Sequence, residues 1–466
     1  MSDRLEPARP SAAGRVVTVL AGGLLDAPRE DQLRWIEDGA LAIDRDGCIA
    51  ARGPRADVAA LYPPEQVRWV EWPAGTRPVI TPGLIDAHAH LPQYPVVARS
   101  ESALLPWLQR HVFPVERRFT TGRDRDIEGA IGPDELDRRC EHFFRSLRAN
   151  GTTAAMIYGA VWEDSCTAGF AAAERSGLRV ALGKVMMDRQ SYGDTGGLPV
   201  LEVSLAESRR LIDRWHGSAG GRLRYVVSPR FAVSCSMEMM QAAARLANET
   251  GCPVQTHLAE QPGEIELVRG LFPQRLDYTD VYDHAGLLGP GCVLGHAIHL
   301  SEREIDTIAT RGAGVAHCPT SNLFLNSGLC PIDQLHAAGI PVALGSDVAG
   351  GPELNLWQVM RSAIEIQAAR RLAPGGDGVD SLSPTHAFHL ATVGGAQVLR
   401  LQDHGCGRLD PGASADIAVW DLAALLSDPQ AAPDEVATDP ALALSLMIYR
   451  GGPAALLGSW VEGRSS

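Results

Sequence analysis

Eight short apolar runs, each ending in polar residues and most followed by a helical stretch, constrain this chain more than any other feature. They read PVITPGLIDAHAH, GTTAAMIYG, VALGKVMMD, RYVVSPRF, CPVQTHLAE, CVLGHAIHL, GVAHCPTSN and PVALGSDVAGG. Strands rich in small and β-branched residues that alternate with helices imply parallel pairing, because only a crossover connection returns the chain to the same sheet edge. Eight such units over about 310 residues predict an α/β fold, a (β/α)8 TIM barrel. Helices are expected between the strands. Met237 to Thr250 places Ala242, Ala243, Leu246 and Ala247 on one face, and Glu302 to Thr310 follows the N-cap candidate Ser301.

The ends of the chain have a different texture. From Arg15 to about Ile80, short apolar runs are broken by turn signals, as in VVTVL, ALAIDRDGCIAARG with a turn at Arg45-Asp46-Gly47, and QVRWVEW. Similar signals return in GRLDPGASADIAVWD and in a final pair, SLMIYRGG and GSWVEG. The expectation is one small composite β-sandwich. Residues 1–80 and 392–466 would build it, leaving 81–391 as the barrel.

Composition removes several function classes. The 466 residues are 45% hydrophobic and 21% charged, an ordinary globular mixture, with 42 basic and 56 acidic residues and a net charge of −14. No cationic footprint for nucleic acid is visible. The longest apolar stretches fall short of the roughly 18 residues that span a bilayer, so no membrane role is expected. The ten residues Val16 to Leu25 have the length of a signal-peptide core. Asp3 and Glu6 upstream and Asp26-Ala27-Pro28 downstream favour a strand instead. Nine scattered cysteines, never spaced C-x-x-C, indicate a reducing cytoplasm.

Barrel active sites lie at the C-terminal ends of the strands, so the residues there carry the chemistry. They are His88 and His90, Arg230 and Phe231, His257 and Glu260, His296, His317, and Asp347. Residues two apart on a strand share a face, which lets His88 and His90 address one ion. His257 adds a third nitrogen and Asp347 an oxygen. That set suits zinc, with Fe2+ also acceptable, and one position left for water, whose pKa such an ion lowers from about 15.7 toward 7. Each residue also has a plainer reading: two polar residues at a loop edge for the His-x-His, a helix N-terminal charge for Glu260, a core aromatic for Phe231, a rim ion pair for Arg230.

Taken together, PGLIDAHAH, THLAE, GHAIHLS, HCPTSN and GSDVAGG resemble the amidohydrolase superfamily. HAHLPQY through LLPWLQRHVFPVERRF, and SPRFAVSCS, are most similar to its guanine deaminases. The resemblance covers nearly the whole chain. It implies metal ligands at His88, His90, His257 and Asp347, with one zinc per subunit. It implies catalytic roles for Glu260, His296 and Asp347, and substrate contacts from Gln93, Arg230 and Phe231 beside His257 and Glu260. The implied partner is a small purine, deaminated hydrolytically, and the implied assembly is a homodimer. Relatives acting on another amino-purine, a pterin or a triazine share the metal set, and a metal-free scaffold is a further alternative. The stretches DRDIEGAIGPDEL and QSYGDTGGLPV read as loop insertions, and Lys184 as structural.

Overall fold

The computed structural model describes residues 6–7, 16–123, 127–192, 199–427 and 439–465, so parts of both insertion-like stretches lie outside the described residues. Two compact units result. One comprises Met1–Ile85, Leu147–Ala154 and Asn355–Ser466, the other Asp86–Ser146 and Ala155–Leu354.

In the first unit the two ends of the chain join a single nine-stranded sheet. Strand Val16–Arg29 pairs antiparallel with Gln32–Asp44, placing Leu20 opposite Leu41. Strand Pro78–Pro82 pairs antiparallel with Ile417–Asp421, which in turn pairs with Leu456–Val461. Alternation sorts the side chains. Leu20, Leu24, Leu41, Ile80, Ile417 and Trp460 form one core, while Val19, Ala21, Ala40 and Ala42 pack with Val58 in another. Val16–Arg29 is thus covered on both faces for much of its length, which explains a run as apolar as an export signal in a strand.

One expectation fails in this unit. SLMIYR is not a strand but the end of helix Pro440–Arg450. Asp439 caps it by accepting the Ala441 and Leu442 N–H groups, with Pro440 at the first helical position. A short apolar run has no decisive period of its own, and the cap that settles its state lies upstream.

The second unit holds most of two four-stranded sheets. Each of the eight apolar runs contains a strand. Leu84–His90, Thr152–Tyr158, Arg179–Gly183 and Leu223–Tyr225 form one sheet, and Val254–Leu258, Cys292–His296, Gly314–His317 and Val342–Leu344 form the other. Within the second sheet every neighbouring pair is parallel. Strand residues are buried almost throughout, so the runs read as continuously apolar. Backbone hydrogen bonds also join segments at the margins of the two sheets. Val227 N–H donates to the Pro253 carbonyl and Gln255 N–H to Val227, while Asp347 N–H donates to the His88 carbonyl and His90 N–H to Val348.

The first run is divided. Pro78–Pro82 and Leu84–His90 lie in different sheets, separated at Gly83, where a Cβ would stand 2.1 Å from Thr153 Oγ1. Helix Met237–Thr250 is capped by Ser236, whose side chain accepts the Met239 N–H. Helix Glu302–Arg311 opens on a Ser301/Glu304 capping box and stops at Gly312 with φ 72°. Among the described residues no helix is long and apolar enough to cross a membrane.

Candidate active site

The strand ends converge. His88 Nε2 and His90 Nε2 each lie 3.2 Å from Asp347 Oδ1 and 3.2 Å from one another. His257 Nε2 is 3.2 Å from His90 Nε2. His257 is further oriented by its other ring nitrogen, Nδ1, which donates to the Arg230 carbonyl at 2.7 Å. That bond leaves Nε2 as a lone pair facing the cluster. The atoms of His88, His257, His296 and Asp347 that could bind an ion all lie within 4.8 Å of one another, all four residues being buried.

This donor set fits a metal ion on physical grounds. Imidazole nitrogens facing one another across 3.2 Å need a proton or a cation between them, and ligand bonds of about 2.0–2.1 Å to a tetrahedral centre would set neighbouring donors about 3.3 Å apart. Burial lowers the His88 pKa to about 4 and holds His257 well below the usual imidazole value, so both rings are neutral at pH 7. Burial would raise Asp347, but hydrogen bonds from His88 and His90 outweigh it and hold that carboxyl well below the ordinary range.

Glu260 and His296 stand beside the cluster. Glu260 Oε2 lies 3.5 Å from His296 Nε2, and Glu260 Oε1 accepts the Ser327 hydroxyl at 2.7 Å. Burial raises the Glu260 carboxyl to about 7. For His296 burial acts downward, yet the facing Glu260 and Asp347 carboxylates raise it above the usual value. Its Nδ1 pairs with Asn322 Oδ1 at 2.9 Å, which turns Nε2 toward the two acids. Ala259, His296 and Asp347 hold φ of 50°, 70° and 47°, in the left-handed region that costs a residue with a side chain about 1–3 kcal/mol. Backbone strain thus gathers where strands end at the site.

Next to the cluster is a pocket lined by Gln93, Trp107, Arg230, Phe231, Glu260 and Leu325, among others. All five side chains expected to contact a substrate, Gln93, Arg230, Phe231, His257 and Glu260, are in its wall. Other side chains at the site had no sequence signal that singled them out. Glu116 lies fully buried behind Gln93 and Arg230. Tyr158 stacks on His90 with ring centroids 4.6 Å apart, and Ser321 Oγ donates to Asp347 Oδ2 at 2.6 Å. Ser321 and Asn322 fall in the quoted HCPTSN stretch, and Glu116 in the run after the His pair. Neither stretch marks which member points inward. Lys184 holds its amine 3.1 Å from Ser204 Oγ and 3.3 Å from Glu207.

The amidohydrolase family model matches residues 79–446. The chain belongs to the amidohydrolase family. Members of this family use a divalent metal, in keeping with the buried His/Asp cluster. Over 396 residues the chain is 39% identical to a probable guanine deaminase of Deinococcus radiodurans, covering 84% of each. Among solved structures it is similar to the guanine deaminase of E. coli, with TM-score 0.85, 33% identity, and coverage of 97% of this chain and 99% of that one. The guanine deaminase of C. acetobutylicum, solved with guanine in its active site, gives TM-score 0.83 at 27% identity, covering 96% and 99%. This member of the amidohydrolase family is a hydrolase of the group that acts on cyclic amidines.

Proposed function

We propose that this chain deaminates guanine hydrolytically, giving xanthine and ammonia. The observation that carries the reading is one pocket lined both by the His/Asp cluster with Glu260 and by the polar side chains of Gln93 and Arg230. His88, His90, His257 and Asp347 would hold a single divalent ion, and zinc suits three imidazoles and a carboxylate best, with Fe2+ acceptable. Such an ion supplies a water molecule acidified to near neutral pH.

The chain's own groups do the rest. Asp347 and His296 orient the water toward C2 of the base. Glu260, within reach of both water and substrate, takes one proton of the water as its oxygen bonds to C2 and delivers that proton to ring N3; the second proton of that oxygen passes to the 2-amino group, whose C–N bond breaks to release ammonia and leave the C2 carbonyl. A carboxyl raised to about 7 suits this work, because a proton carrier is most efficient when its pKa is near the working pH. Arg230 donates to the 6-oxygen, Gln93 pairs with the adjoining edge, and Phe231 packs on the ring.

On the fold, we infer that the two four-stranded sheets close into one eight-stranded barrel. The paired amides at Val227–Gln255 and at His88–Asp347 support both seams. The nine-stranded sheet would form the small sandwich, with the barrel domain at 81–391, although helix Leu356–Leu372 packs within the first unit. A cytoplasmic homodimer completes the reading.

The test is incubation of zinc-loaded protein with guanine, following xanthine and ammonia, beside Glu260→Gln. The variant is expected to keep its metal and lose about 10²–10⁴ in turnover. An unimpaired variant removes Glu260 from the mechanism. Ammonia released from a pterin or triazine but not from guanine overturns the substrate.

A further inference from the structure

Gln93 and Arg230 share one hidden partner. Gln93 Nε2 donates to Glu116 Oε1 at 2.9 Å, and Arg230 Nη1 donates to Glu116 Oε2 at 2.5 Å. The three side chains are 2%, 2% and 0% exposed, so water does not compete for these bonds. Glu116 lies on helix Phe113–Arg118, one turn beyond Phe113, whose ring centroid is 5.1 Å from the Arg230 guanidinium carbon. One short helix therefore grips the guanidinium by its charge and by its face.

The chemistry of a carboxylate makes this contact directional. An ionised carboxylate only accepts, so Gln93 must turn its amide nitrogen toward Glu116, and the flipped amide would set oxygen against oxygen. Arg230 spends Nη1 on Glu116 and Met187 Sδ and keeps its Nε and Nη2 N–H groups for other partners. We propose that Glu116 is a positioning residue that sets substrate choice, holding Gln93 and Arg230 in the one orientation that reads the 6-oxo, N1–H edge of the base. This inference rests on the guanine reading above. A site with its polar groups held in advance rejects a base lacking the matching edge, because its buried donors are then left unmatched.

The test compares guanine with 2-aminopurine, which lacks the 6-oxygen and N1–H, in the zinc-loaded wild type, Glu116→Gln and Glu116→Asp. For each pair, kcat and KM are measured, or an inhibition constant where turnover is absent. In Glu116→Gln the guanine KM is expected to rise about 10- to 100-fold, the factor carried by a hydrogen bond to a charged group, with kcat and the 2-aminopurine constant changing far less. The preference for guanine falls by the same factor. Glu116→Asp keeps a negative charge facing Arg230 but draws the carboxylate back by one methylene. It too is expected to lower the preference, and it decides the matter if Glu116→Gln does not fold. A preference unchanged in the folded variants, or a loss borne equally by both bases, overturns the proposal. A wild type that releases no ammonia from guanine overturns the functional reading itself, an outcome visible before any variant is made.

Discussion

Glu260 is a buried acid whose environment, more than its identity, suits it to carry protons. Burial raises it to about 7, and the Ser327 hydroxyl moderates that rise by donating to the charged form. Removing the donor in Ser327→Ala makes the carboxyl hold its proton more tightly. If Glu260 must start ionised, activity is lost as pH falls through its pKa, so the acid limb of the kcat/KM profile is expected to move to higher pH in the variant. An unmoved limb would separate that limb from Glu260. Glu260 itself was legible three residues beyond His257, at the end of an apolar run. Ser327 was not, because it reaches the acid from 67 positions away along the chain and sits in a loop with no periodicity.

At the scale of elements, strand ends deliver the clustered His and Asp side chains and their neighbours shape the space for them. His88 is held between two glycines. A Cβ on Gly295 would lie 2.7 Å from His88 Cε1, and one on Gly345 would lie 2.7 Å from His88 Cβ. Gly295→Ala is therefore expected to keep the fold while tilting the imidazole. Zinc content and activity should fall about 10- to 100-fold, as when the support of a ligand is disturbed. Metal analysis beside circular dichroism checks this, and full zinc occupancy would show that His88 tolerates the contact. The eight strands were readable because burial on both faces leaves continuous apolar runs. SLMIYR shows the limit of that signal, since the same composition folds as a helix once Asp439 and Pro440 cap it.

For the whole molecule, the site draws on residues from 88 to 347, so folding itself assembles the donors. An ion that binds only the folded chain stabilises it by mass action, about 2.7 kcal/mol at a hundredfold excess over Kd. Chelation is accordingly expected to lower the thermal unfolding midpoint and abolish turnover, with zinc restoring both. A midpoint indifferent to chelator and zinc would detach the ion from the cluster. What the sequence by itself determined was local: strand and helix rhythm, the caps, and the polar residues that end each run, because those depend on neighbours a few positions apart. Tertiary structure decided which side chains meet. It placed Glu116 behind Gln93 and Arg230, divided the first run at Gly83, and joined both chain ends in one sheet, since each outcome turns on close packing between segments that sequence order leaves far apart.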